Sequence, residues 1–296
     1  MRTAFIEGLI ARARQDERIV LTVGDLGYSV IEPFQHEFPD RFFNAGIAEQ
    51  NMMGMAAGLA SEGFRVFAYS IANFPTFRCA EQIRNDIAYH GLPVTIVSVG
   101  GGLVYGNMGY SHHAVQDYAL MRVLPGMHIL APGDPREVEL CLDLSLDYPG
   151  PSYLRLGNPG TPQIHTGVPE GTPGSWIHVA GDEKSTHVLL TTGGTLALAT
   201  TWLDLPEYAD YALYSLPCWG MGAHGETVRN VRERERVVTL EDHLSDAGFG
   251  SWVLESLSRV DPGQCSKLTI KALSSDVANL VATEDTLRRA GGLVPE

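Results

Sequence analysis

The chain has 296 residues, 44% of them hydrophobic and 19% charged, enough apolar material for one large or two medium cores. A formal net charge of −14 argues against nucleic-acid binding as a purpose, because no basic surface offsets it cheaply. The four cysteines are widely spaced, with no Cys-x-x-Cys pair, and no apolar run reaches membrane-spanning length. An amphipathic start carrying Glu7 does not read as a signal peptide, so the expectation is a cytoplasmic protein with no membrane partner.

Apolar periodicity predicts a helix over residues 4–14 and a short buried strand over 19–23, ending at Gly24-Asp25. The stretch Arg41-Phe42-Phe43-Asn44-Ala45-Gly46-Ile47-Ala48-Glu49-Gln50-Asn51 then opens a small-residue helix. On a 3.6-residue period Met53, Ala56 and Ala60 share the face of Glu49, so one carboxylate stands on an apolar wall. Such a group is costly unless it is protonated or hydrogen-bonded. Next come a strand over 64–69, a helix over 78–89, strands over 93–99 and 127–130, and a helix over 135–145. Alternation of this kind predicts a parallel sheet covered on both faces. Gly, Pro and Thr dominate from Asn158 to Ser175, and a second α/β pattern runs to the C-terminus. The expected architecture is α/β with two domains, each a mainly parallel sheet flanked by helices.

Three strings carry chemistry. The Glu49 segment is the first. The second is Gly100-Gly101-Gly102-Leu103-Val104-Tyr105-Gly106-Asn107-Met108-Gly109-Tyr110-Ser111-His112-His113, where closely spaced glycines allow backbone to approach a ligand and deliver a His. Adjacent residues point apart, so His112 and His113 do not read as a metal pair, and no residue is assigned to a metal. The third is Asn73-Phe74-Pro75-Thr76-Phe77-Arg78, with two aromatic faces on which a flat ring can stack.

Together these strings resemble the pyrimidine-binding domain of transketolases and of deoxyxylulose phosphate synthase. The resemblance covers nearly the whole chain and implies a pyrimidine-binding domain at 1–160, a linker at 161–178 and a transketolase C-terminal domain at 179–296. It implies thiamine diphosphate as cofactor, with Glu49 hydrogen-bonded to its pyrimidine ring. Phe74 and Phe77 are the candidates for stacking on that ring, with Arg78 beside them. His112 would orient donor oxygens, and His113 would be structural. Arg2, Ser29 and Arg155 match positions that hold a sugar phosphate. Thr239-Leu240-Glu241-Asp242-His243 reads as a strand end at the subunit interface.

No Gly-Asp-Gly signature for the diphosphate and its metal is present; Gly24-Asp25-Leu26 is the nearest string. The implied protein is therefore the small subunit of a split transketolase, in an α2β2 assembly with a separate N-terminal-half subunit that holds Mg²⁺. Its implied reaction moves a two-carbon ketol unit from a ketose phosphate to an aldehyde. Gly100 and Met108 depart from relatives that carry His and Asp near those positions to read sugar hydroxyls. Rival readings are the β subunit of a 2-oxoacid dehydrogenase, a two-carbon-transfer enzyme of secondary metabolism, and a non-catalytic partner subunit.

Overall fold

The structure, a computed structural model, describes residues 1–295. Its strands are β1 (Ile19–Val23), β2 (Phe42–Asn44), β3 (Arg65–Ile71), β4 (Val94–Val99), β5 (His128–Leu130), β6 (Ser152–Leu156), β7 (Ile177–Ala180), β8 (His187–Thr191), β9 (Ala212–Ser215), β10 (Cys218–Gly220), β11 (Arg236–Leu244) and β12 (Leu268–Leu273). They form a seven-stranded sheet in the order β10-β5-β6-β4-β3-β1-β2 and a five-stranded sheet in the order β12-β11-β8-β9-β7. Each is parallel except for one antiparallel edge strand, β10 in the first and β7 in the second. The central parallel strands are covered on both faces. Accordingly β1 (Ile-Val-Leu-Thr-Val) and β4 (Val-Thr-Ile-Val-Ser-Val) are buried at every residue.

Two long helices have carboxylate oxygens placed at their free N–H groups. Asp134 caps the helix Pro135–Asp147 by accepting from the Arg136 and Glu137 N–H groups, with proline at its first turn. The other carboxylate oxygen of Asp134 accepts from the Ile164 and His165 N–H groups, pinning the segment between β6 and β7, which has no helix or strand. The helix Phe249–Val260 is capped from a distance. Buried Glu241 accepts from the Phe249 and Gly250 N–H groups at 2.6 and 2.7 Å.

The two sheets share one apolar core. Trp219 of β10 packs against Tyr118, Phe249 and Trp252, with ring centres 5.1, 5.3 and 5.2 Å apart. One strand from the second half of the chain thus completes the first sheet. The segment expected as a helix over 78–89 is less regular, with a short turn at Ala80–Gln82 followed by a π-helical stretch at Ile83–Ala88.

Candidate functional site

The three strings singled out for their chemistry lie outside the carboxyl ends of neighbouring strands, where open α/β sheets place their ligands. Gly24 and Asp25 follow β1, Asn44 ends β2, Asn73 to Arg78 follow β3, and the glycine-rich strap follows β4. Asn44 organises the approach to the Glu49 helix. Its Oδ1 accepts from the Asp25 and Gly46 N–H groups, and its Nδ2 donates to Asp25 Oδ1 at 3.0 Å.

Glu49 begins the helix Glu49–Ser61 and shares its buried face with Met52, Met53, Ala56 and Ala60. It is 3% exposed, and its Oε2 accepts from Arg78 Nη1 at 2.8 Å, while Arg78 itself is 48% exposed. A helix start suits a carboxylate, since unpaired N–H groups and the helix dipole favour negative charge there. Gln50 donates to the Arg78 carbonyl at 3.1 Å, tying the two segments together. Beneath them, burial and the Glu49 carboxylate push the Cys79 thiol up to about 12, leaving it an inert space-filler.

The Arg78 guanidinium lies over the Phe74 ring, 4.6 Å from its centre. Phe74 also meets the His112 ring edge-on, with centres 5.4 Å apart. Glu49, Arg78, Phe74 and His112 therefore form one continuous group. Phe77 is 49% exposed and makes no ring contact with it. Burial and the neighbouring His113 lower the pKa of His112 below its ordinary value, so the imidazole is neutral at pH 7. Asn73 donates to the carbonyls of Ser111 and His113 at 3.1 and 2.9 Å, holding the backbone on both sides of His112. His113 is buried, and its Nε2 meets the Gly106 carbonyl at 3.2 Å.

The three expected phosphate residues do not gather in one place. Arg2 begins the helix Arg2–Ala13 beside Tyr69, with its buried Nε unpaired. Ser29 is exposed in a turn at φ 64°, its N–H donating to Glu32 Oε1. The same turn lies against Tyr69, because a Cβ at Gly27 would come within 3.0 Å of that ring. Burial pushes the Tyr69 hydroxyl up to about 12, so it is a neutral group, with the Arg2 guanidinium beside it.

Arg155 is enclosed in β6. It is 2% exposed, and its nitrogens are committed to Asp117, Asp242, the Tyr118 hydroxyl and the Ala114 carbonyl. A buried guanidinium has to be neutralised and hydrogen-bonded where it stands, which leaves no donor for a phosphate at a channel mouth. Sequence reasoning missed Asn44, Asn73, Tyr69 and Tyr105. Tyr105 fills the space above Gly100, where any side chain would overlap its ring, and stands edge-on to His112 at 6.3 Å.

Among the described residues, no cluster of His, Cys, Asp and Glu is arranged to hold a metal ion, and no helix is long and apolar enough to cross a membrane. The cluster does fit an aminopyrimidine. A buried carboxylate whose one strong partner is a half-exposed arginine lies next to a partly exposed aromatic face.

Comparison with known proteins matches residues 1–162 to the family model described as transketolase, pyrimidine binding domain. Over 270 residues the chain is 34% identical to an apulose-4-phosphate transketolase subunit of Phocaeicola vulgatus, covering 87% of this chain and 83% of that one. It is 32% identical to 1-deoxy-D-xylulose-5-phosphate synthase of Heliobacterium modesticaldum, where the match spans 86% of this chain but only 39% of the synthase. A solved split-gene transketolase, an inactive beta4 tetramer, superposes with a TM-score of 0.86 at 31% identity, covering 99% of this chain and 93% of that chain.

Proposed function

The chain belongs to the transketolase family, and from that premise we propose that it is the small subunit of a split transketolase, completed by a separate diphosphate-binding subunit. In this reading residues 1–160 are the pyrimidine-binding domain, 161–178 the linker and 179–296 the C-terminal domain. The partner holds Mg²⁺ and the diphosphate, in an α2β2 assembly working in the cytoplasm. The reaction transfers a two-carbon ketol unit from a ketose phosphate to an aldehyde.

One observation carries the reading: a buried carboxylate at the start of an apolar helix, joined through Arg78 and Phe74 to a neutral imidazole. Thiamine diphosphate, when bound, supplies the nucleophilic carbon at which the ketose is cleaved. The residues of this chain supply position and proton placement. Glu49 would hold the pyrimidine ring by sharing a proton between its carboxylate and a ring nitrogen. Phe74 offers its face to the ring, worth about 0.5–1.5 kcal/mol beyond burial. Arg78 covers both Glu49 and Phe74 and would have to swing outward to admit a ring, a low-cost motion for a side chain that is half in water. His112 hydrogen-bonds the donor oxygens as a neutral imidazole. Arg2, beside Tyr69, and Ser29, in the turn whose Gly27 lies against the same ring, receive the phosphate.

Calorimetric titration with thiamine diphosphate and Mg²⁺ tests the division of labour. The chain alone is expected to show no binding at micromolar cofactor. The chain co-purified with a Gly-Asp-Gly…Asn partner is expected to bind one cofactor per pair. Tight binding by the isolated chain would refute the split site.

A further inference from the structure

The sequence places Glu241-Asp242-His243 at a subunit interface, whereas the structure buries all three inside the chain. Asp242 Oδ1 accepts from Arg155 Nη1 at 2.6 Å. Asp117 Oδ2 accepts from Arg155 Nε at 2.7 Å and from the Tyr153 hydroxyl at 2.6 Å. The guanidinium also lies over the Tyr118 ring, 4.3 Å from its centre. As a device for stability alone this is inefficient, because two buried carboxylates around one cation are commonly matched by well-packed apolar side chains.

A third set of contacts indicates its use. Arg155 Nη2 donates to the Ala114 carbonyl at 2.7 Å, two residues beyond His112. Ala114 is bridged to Gly102 by hydrogen bonds in both directions, 3.0 and 2.9 Å. Leu244, two residues past Asp242, donates its N–H to the Val115 carbonyl at 2.9 Å. The glycines are shaped to the ion pair. A Cβ at Gly101 would come within 2.6 Å of Arg155 Cγ and Nε, and one at Gly102 would overlap the Asp242 carboxylate. Gly102 also adopts φ 68°, which a side chain would resist. The strap that presents His112 is therefore laid directly on the Arg155–Asp242 pair. Asn73 grips its far side.

We infer that Asp242 is a positioning residue: through Arg155, the C-terminal half of the chain fixes the Gly100–Val115 strap and so the placement of His112. This rests on the proposed role of His112.

The test is a double-mutant cycle in the enzyme assembled with its partner: wild type, Asp242→Asn, His112→Ala and the double variant. Asp242→Asn is expected to lower kcat about tenfold while thiamine diphosphate affinity stays within about threefold. In the His112→Ala background the same substitution should change kcat by less than about threefold. Asp242→Glu should recover part of the loss. Hydrogen exchange on the chain alone gives a readout free of cofactor and turnover. The Gly102 and Ala114 amides should exchange faster in Asp242→Asn, with those of β3 and β4 unchanged. Equal kcat losses in both backgrounds, or unaltered exchange at Gly102 and Ala114, would overturn the inference. Full activity of His112→Ala would instead overturn the role of His112, and the inference with it. Should Asp242→Asn not fold, Arg155→Lys runs the same cycle, since an ammonium keeps the charge but not the fork that reaches Asp117, Asp242 and Ala114 together.

Discussion

Glu49–Arg78 and Asp242–Arg155 are nearly the same bond, 2.8 and 2.6 Å long, but they sit in opposite surroundings. Arg78 is half in water, so its bond to Glu49 can be exchanged for another partner at little cost. Arg155 is enclosed, and its removal strands two carboxylates with no water to replace it. The difference separates the two duties of the proposed site. The side that must receive a ring is closed by a replaceable arginine, and the side that must stay still is closed by a fixed one.

The largest expected effect breaks the fixed side. Arg155→Met should cost about 3–5 kcal/mol of unfolding free energy, because Asp117 and Asp242 are left buried and unpaired. Arg78→Met should cost less, because it strands one carboxylate rather than two, and Glu49 lies at a helix start that favours negative charge. Urea unfolding of both variants reads the contrast directly, and equal losses would erase it. A smaller effect sharpens the receiving side. Phe74→Ala should weaken thiamine diphosphate binding to the assembled enzyme by about 3–10-fold, whereas exposed Phe77→Ala should stay within about twofold. Reversal of that order would move the stacking face to Phe77.

The smallest effect is in pH. Burial holds the folded-state pKa of His112 below its ordinary value of 6.5. Protonation therefore favours the unfolded chain. The stability that His112 contributes is fully present above pH 6.5 and is lost as pH falls through its lowered folded value. The acid limb of kcat/KM should likewise lie below pH 6.5 and disappear in His112→Gln. A limb unchanged in that variant would assign the titration to another group.

Glu49, His112 and the Phe74-to-Phe77 string are legible in the sequence because each follows a strand end, so local pattern and chemistry coincide, whereas the choice between the two phenylalanines is not. Arg155 is not. Its carboxylate partners lie 38 and 87 residues away, and Ser-Tyr-Leu-Arg-Leu reads the same whether the arginine meets solvent or a buried aspartate. The alternating α/β order is equally visible, since strands such as β1 and β4 are apolar throughout. β10 is hidden for the opposite reason. Only three residues long, it is held by Trp219 packing against the helix Phe249–Val260, a contact between distant parts of the chain. The irregular Ala80–Ala88 segment is also unreadable in advance, because a three-residue turn and a six-residue π stretch are each too short to set an apolar period of their own.

The account stands most directly on Glu49. Ketose-phosphate turnover should be measured in the chain co-expressed with a Gly-Asp-Gly…Asn partner, with thiamine diphosphate and Mg²⁺, wild type beside Glu49→Gln. Turnover that requires the partner and falls about 10²-fold or more in the variant is the predicted result, because the amide keeps the shape but cannot share the proton. Near-normal turnover in a folded, cofactor-loaded Glu49→Gln enzyme would contradict it.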